Sequence, residues 1–318
     1  MDLRRIKRFL DAGDHYLIST HINADGDAIG SALATARILD LAGKSCRIVL
    51  HDKEVDLKYR FLSGFDRIEA YPRSSAPASW VILVDTPHVA RVGDVAKLIG
   101  KQARILNIDH HASNARFGEI NLVDEDACAT AELIFGLAKA LKFRIDAEMA
   151  TQLYTGIMFD TGRFRHANLR RAFPVATELI NLGADPTTLA EAVYGRKSFQ
   201  SVKVLGQALA SLEMHFKNRV AFMILPHSVL RLTSDLDGIV DYAISISGVL
   251  VAALLKEQKP NQFRLSLRSR GAFDVNELAR AFQGGGHPNA SGCCIEGDAL
   301  QVKRALLKAI RKRLKKSE

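Results

Sequence analysis

Short apolar runs alternate with stretches of helical periodicity along the first half of this chain. Several of the runs stop abruptly at an acid or an imidazole. Residues 15–20, 46–50, 80–84 and 105–108 read as buried strands. The first leads into His21 and Asp25, the third ends in Asp85, and the fourth ends in Asp109, His110 and His111. Residues 27–41, 129–141, 147–159 and 171–182 place apolar side chains at helical spacing, with Gly43 and Gly183 as stop signals. Continuous apolar strands separated by helices predict an α/β domain with a parallel, doubly wound sheet. In such sheets the chemistry lies at the carboxyl ends of the strands.

The pattern changes in the second half. Residues 187–214 read as a helical linker between a domain at 1–186 and another at 215–318. Beyond it, strands at 219–225, 248–255, 262–268 and 291–296 alternate with helices at 238–246, 276–282 and 299–314, which predicts a smaller α+β domain and a cleft between the two. A length of 318 residues is enough for two cores, and 47% hydrophobic with 25% charged residues is ordinary globular composition. The leading Met-Asp-Leu-Arg-Arg-Ile-Lys-Arg lacks the apolar core of a signal peptide, and the most apolar later stretch, 244–255, is too short to span a bilayer. A cytoplasmic protein with no membrane association is expected. Cys46, Cys128, Cys293 and Cys294 show no Cys-x-x-Cys spacing, so all four are expected reduced and without structural zinc. The net charge of +9 is concentrated: residues 303–318 supply seven of these charges and leave two to the rest of the chain. Cations suit the last turns of a helix, so the charge by itself does not name a nucleic-acid partner.

The acids and imidazoles at element ends change the picture further. His21, Asp25, Asp27, Asp85 and His110 follow strands, and Asp160 ends a helix before Thr161-Gly162. Singly, each has a plain reading, Asp27 as a helix cap and Asp85 as the start of a turn. Jointly they form a set of oxygen and nitrogen ligands without thiolate, which suits Mn²⁺ or Mg²⁺. Six such groups exceed the needs of one ion; two ions about 3.5–4 Å apart, sharing a carboxylate and activating water, would use them all. Gly26 is expected to let the backbone bend between the two aspartates, and Gly30 to pack closely on the sheet. In the second half, Arg264, Ser266 and Arg268 share one face of a strand. Gly284, Gly285, Gly286 and His287 could converge backbone N–H groups on an anion, although such a run can also be simply a tight turn.

His21-x3-Asp25-x-Asp27, Asp85-Thr86, Asp109-His110-His111 and Asp160-Thr161-Gly162 resemble, in order, the four motifs of the DHH phosphoesterase superfamily. One departure is Ala24, where many members carry proline. The resemblance implies that His21, Asp25 and Asp85 hold one Mn²⁺, and that Asp27, Asp85, His110 and Asp160 hold a second, with Asp85 bridging and Mg²⁺ as the alternative metal. His111 would then face the substrate, and Asp109 would orient an imidazole. The Arg-Ser strand and the Gly-Gly-Gly-His loop resemble the DHH-associated C-terminal domain, which implies that Arg264, Ser266, Arg268, Gly284, Gly285, Gly286 and His287 bind substrate. DHH inorganic pyrophosphatases carry a different second domain, the RecJ type adds a nucleic-acid module, and membrane-bound cyclic-di-AMP phosphodiesterases add spans and sensors. The stand-alone nanoRNase and pAp phosphatase group fits best. It implies hydrolysis of short RNA oligonucleotides, linear dinucleotides such as pApA, and 3′-phosphoadenosine 5′-phosphate (pAp). A soluble cyclic-di-AMP phosphodiesterase and a catalytically idle nucleotide- or RNA-binding protein are the alternatives, and the choice between monomer and homodimer is open.

Overall fold

The computed structural model describes residues 3–71, 76–195, 197–233, 236 and 238–314. The chain forms two compact units, Met1–Arg196 and Lys197–Glu318. The first is built on six strands, β1 (Tyr16–Ser19), β2 (Cys46–Leu50), β3 (Ile68–Ala70), β4 (Ala78–Val84), β5 (Ile99–Asp109) and β6 (Ile120–Val123). All are parallel, in the order β3-β2-β1-β4-β5-β6. The winding direction therefore reverses between β1 and β4. A crevice outside the carboxyl ends of that pair is where doubly wound sheets bind ligands.

Alternation along the strands builds both cores. Ile18, Ile82, Val84, Leu106 and Ile108 join one apolar cluster with α1 (Leu3–Ala12), α2 (Gly26–Leu41), α3 (Thr130–Ala140), α4 (Ala147–Asp160) and α5 (Leu169–Asn181). Leu17, Val49, Val81 and Leu83 point the other way and are covered by Val92, Val95 and Leu98 of the kinked helical segment Val89–Leu98. Covering on both faces is what a parallel sheet requires, since each fully buried Leu or Ile contributes about 1.5–3 kcal/mol. Two glycines act differently from the expectation. Gly30 packs on α4 and not on the sheet: a Cβ there would lie 2.3 Å from the Gln152 carbonyl oxygen. Gly26 opens α2 as a helical residue, and a Cβ there would lie 2.8 Å from the Phe159 Cβ. Both let α2 and α4 approach, which brings the first turn of α2 to the last turn of α4.

Residues 187–214 divide between the units. Helix α6 (Pro186–Ala190) and the turn after it send Leu189 and Val193 into the first core. Helix α7 (Phe199–Ala210) sends Val204 and Ala208 into a cluster of the second unit.

That unit carries a mixed sheet of β7 (Glu213–His215), β8 (Val220–Leu225), β9 (Val251–Lys259), β10 (Gln262–Ser269), β11 (Gly285–His287) and β12 (Ala290–Glu296), in the order β11-β12-β10-β9-β8-β7. Only the β8–β9 pair is parallel. One face packs on α10 (Val275–Arg280) and α11 (Ala299–Leu314) through Val251, Ala253, Leu255, Leu265 and Leu267. The other packs on α7 and α9 (Ile239–Ser245) through Ala252 and Leu254, with the short helix α8 (His227–Leu230) preceding α9. Among the described residues, no helix is long and apolar enough to cross a membrane.

Candidate metal centre

The motif residues of the first unit meet beyond the carboxyl ends of β1, β4 and β5, where three loops and two helix ends converge. His21 follows β1 and is 8% exposed. Its Nδ1 donates to the Ile22 carbonyl at 3.0 Å, which directs Nε2 toward Asp85 Oδ2 at 3.3 Å and Asp25 Oδ2 at 3.8 Å. Asp25 is the N-cap of α2 and accepts from the amides of Asp27 and Ala28. The loop between His21 and Asp25 is held from outside, because Asp52 Oδ2 accepts from the amides of Asn23 at 2.7 Å and Ala24 at 3.2 Å. A proline at 24 could not make the second of these bonds. Asp52 thus restrains a loop that carries Ala24.

Asp27 is fully buried, and it does cap a helix, though not its own. Its carboxylate accepts from the Thr130 and Ala131 amides at 2.6 and 3.0 Å, in the first turn of α3, and from Ser31 Oγ at 3.2 Å. Asp85 follows β4 with φ of +51°, a left-handed conformation that costs a non-glycine residue roughly 1–3 kcal/mol and recurs at functional sites. Its Oδ1 accepts from Thr130 Oγ1 at 3.0 Å and lies 3.7 Å from His110 Nε2. His110 follows β5 and donates Nδ1–H to the Ala127 carbonyl at 3.2 Å, so that Nε2 faces Asp160 Oδ2 at 2.8 Å, at the end of α4. Asp109, also fully buried, accepts from His111 Nδ1 at 2.7 Å and from Asn114 Nδ2 at 2.6 Å.

Three sets of ligand atoms result within the first unit, each with all its members within 4.8 Å of one another: His21, Asp25 and Asp85; Asp27, His110 and Asp160; and Asp85, Asp109 and His111. Asp85 belongs to two of them. The charges explain what such a cluster demands. Burial pulls the His21 pKa down, but its bond to Asp85 and the Asp25 and Asp85 charges prevail and carry it up to about 9. Burial lowers that of His110 too, and the bond to Asp160 with the surrounding carboxylates raises it well above the usual imidazole value. Asp25 rises to about 6, mainly through burial against the pull of His21. Asp27 is pushed well above the carboxylate range by burial and then by Asp85 and Asp160. For Asp85 burial pushes upward, but the bond to His21 and the three imidazoles hold it well below the usual value.

Five carboxylates, Asp25, Asp27, Asp85, Asp109 and Asp160, thus share a small volume with three imidazoles. Cations would fit this donor set, and oxygen with imidazole nitrogen suits Mn²⁺ or Mg²⁺. The neighbouring Cys128 thiol is pushed far up, first by burial and then by Glu132, and offers no thiolate.

The candidate substrate residues of the second unit are arranged differently from the expectation in one respect. Arg264, Ser266 and Arg268 do share a face of β10, alternating with buried Phe263, Leu265 and Leu267. Arg268 Nε donates to Asp241 of α9 at 3.0 Å, and Lys256 donates to Ser266 at 2.9 Å. The glycine run, however, is not a nest of converging amides. Gly284 N–H donates to the Ala279 carbonyl, and Gly285, Gly286 and His287 form the edge strand β11 paired with β12. Close packing accounts for two of the glycines: a Cβ at Gly284 would lie 2.2 Å from the Gly292 oxygen, and one at Gly286 would lie 2.5 Å from the Ala290 oxygen. At Gly285 the nearest neighbour of such an atom, Asn276 Oδ1, is 4.0 Å away, so packing does not demand glycine there.

A family model described as the DHH family, N-terminal domain, matches residues 15–157, and one described as the DHHA1 domain matches residues 232–316. The chain is 32% identical over 302 residues to the bifunctional oligoribonuclease and PAP phosphatase NrnA of Thermus thermophilus, a match covering 93% of this chain and 89% of that protein. The chain belongs to the DHH family. The structure of an exopolyphosphatase-related protein from Bacteroides fragilis superimposes on this DHH chain with a TM-score of 0.87 at 26% identity, covering 99% of this chain and 95% of that one. RecJ of Thermus thermophilus, solved in complex with Mn²⁺, shares the fold at a TM-score of 0.53 and 14% identity, over 97% of this chain and 54% of that one.

Proposed function

We propose that this DHH protein is a metal-dependent phosphoesterase that hydrolyses short RNA oligonucleotides, linear dinucleotides such as pApA, and pAp. The observation that carries the reading is Asp85. It lies at the topological switch point in a left-handed conformation, and its two oxygens face different ligand groups. The substrate class is supported by the similarity to the Thermus thermophilus oligoribonuclease and PAP phosphatase over most of both chains.

His21, Asp25 and Asp85 would hold one divalent cation, and Asp27, Asp85, His110 and Asp160 a second, Mn²⁺ in preference to Mg²⁺. When bound, such a pair lowers the pKa of water and offsets the charge that builds on a phosphoryl group. The chain's own groups do the rest. The Nδ1–H bonds of His21 and His110 to backbone carbonyls fix both tautomers and present Nε2 inward. Asp109 holds the His111 ring in orientation, and His111 acts on the substrate phosphate or on the departing oxygen. Arg264, Ser266, Arg268 and residues 284–287 are proposed to bind the rest of the substrate, with the Gly285 backbone open to close approach.

A product assay with Mn²⁺ across pAp, pApA, cyclic-di-AMP and RNAs of increasing length tests this reading. Hydrolysis of pApA and the shortest RNAs is expected. Turnover of the cyclic dinucleotide with none of the linear substrates would replace the reading with that of a cyclic-di-AMP phosphodiesterase.

A further inference from the structure

Residues 124–131 contain none of the proposed ligands, yet they touch three of them on three different elements. The Ala127 carbonyl accepts from His110 Nδ1 at 3.2 Å. Thr130 and Ala131 donate their amides to Asp27, and the Thr130 hydroxyl donates to Asp85 at 3.0 Å. The segment is braced from behind. Glu132 accepts from the Cys128 amide at 2.7 Å and from Arg171 Nε at 2.5 Å, and Arg171 also donates to Asp124 at 2.8 Å.

The helix that starts here has Ala129 at its N-cap, with no side-chain cap. A serine or aspartate at 129 would normally satisfy the first free amides of such a helix. In this chain Asp27 satisfies them from another helix. An ionised carboxylate has about four lone-pair sites. Asp27 uses three of them on Thr130, Ala131 and Ser31. The remaining direction is thereby fixed. Thr130 is fully buried, so its hydroxyl has no water to turn to, and its bond fixes Asp85 Oδ1 as well.

We infer that Thr130 is a positioning residue that sets Asp27 and Asp85 relative to each other for cation binding, its amide holding one carboxylate and its hydroxyl the other. The inference rests on the proposed metal-dependent reading of the same site. It separates the two arms, because substitution of the side chain leaves the amide bond to Asp27 in place.

The test uses the full chain, freed of metal by a chelator and titrated calorimetrically with MnCl₂, as wild type, Thr130→Val and Thr130→Ser. Loss of a group that orients a ligand costs about 10- to 100-fold in metal affinity. Thr130→Val, which keeps the shape and loses the hydroxyl, is expected to bind Mn²⁺ weaker by that factor, with KM for a dinucleotide unchanged at saturating Mn²⁺. Thr130→Ser, which keeps the hydroxyl, is expected to retain wild-type affinity. Wild-type binding by Thr130→Val overturns the inference. So does equal weakening in both variants, since keeping the hydroxyl would then preserve nothing, or weakening in Thr130→Ser alone, which would assign the effect to packing of the methyl group. These results leave wild-type hydrolysis intact and so spare the functional reading, whereas a wild type that binds no Mn²⁺ sinks both.

Discussion

Loading the centre with metal at neutral pH should expel protons, and their number follows from the geometry. In the metal-free protein the Nε2 atoms of His21 and His110 face carboxylates, and both imidazoles titrate above their usual range, His21 at about 9. Both are therefore protonated at pH 7, but a metal-ligating imidazole must be neutral. Deprotonating His21 two pH units below its pKa costs about 3 kcal/mol, or about 100-fold in apparent affinity. Binding should accordingly tighten as pH rises from 7 to 9, about tenfold per pH unit for each proton released. Titration of chelated protein with MnCl₂ in two buffers of different ionisation enthalpy counts the protons directly. At pH 7 we expect at least two, one from each imidazole, and one fewer in His21→Gln. A binding heat independent of buffer, or an affinity flat between pH 7 and 9, would show that metal binding displaces no proton from these imidazoles.

The same groups set stability in the absence of metal. A raised imidazole pKa contributes stability that is complete below the unfolded value and is lost as pH rises through the folded one, and the raised Asp25 carboxyl costs stability that accrues as pH rises from the unfolded value and is complete above about 6. The metal-free Tm should therefore fall between pH 5.5 and 9 while the Mn²⁺-loaded Tm does not follow it; parallel curves would count against the ligand set. Arg268→Ala removes a charge-assisted hydrogen bond worth about 1.5–3 kcal/mol, so kcat/KM for pApA should drop by roughly 10- to 150-fold. The loss should be much smaller for bis-(p-nitrophenyl) phosphate, and equal losses on both substrates would assign the arginine a purely structural role beside Asp241. After chelation Mn²⁺ should restore activity, and tightly held zinc that alone supports turnover would overturn the choice of metal.

The sequence makes the sheet legible because its central strands are continuous apolar runs with polar ends, so that β1, β4 and β5 stand out with their aspartates and histidines. Three-residue strands such as β3, β7 and β11 carry too few positions to show a period, and the edge strand β6 has only the polar-interrupted Ile-Asn-Leu-Val. Helix α1 was hidden by its basic composition, although Ile6, Phe9 and Leu10 mark a buried stripe once its neighbours are known. The acids and imidazoles of the centre could be read from motif spacing. What holds them could not, because Thr130, Ala127 and Asp52 act through bonds to residues distant in the chain or through their backbones. The glycine run of residues 284–287 misled for a related reason. Gly284 and Gly286 answer to a close hairpin contact with β12, which composition does not reveal.

Substitution of Asp85 by asparagine is the sharpest probe of a two-cation centre, since one neutral amide would replace the carboxylate shared by two ligand groups with little change in shape. Wild type and Asp85→Asn, both chelated and reconstituted with Mn²⁺, would be compared for release of mononucleotide from pApA, with thermal melts to verify folding. Metal-dependent turnover by wild type is predicted, with none detectable from a folded Asp85→Asn protein. Turnover by Asp85→Asn close to that of wild type would contradict the bridging role of this carboxylate.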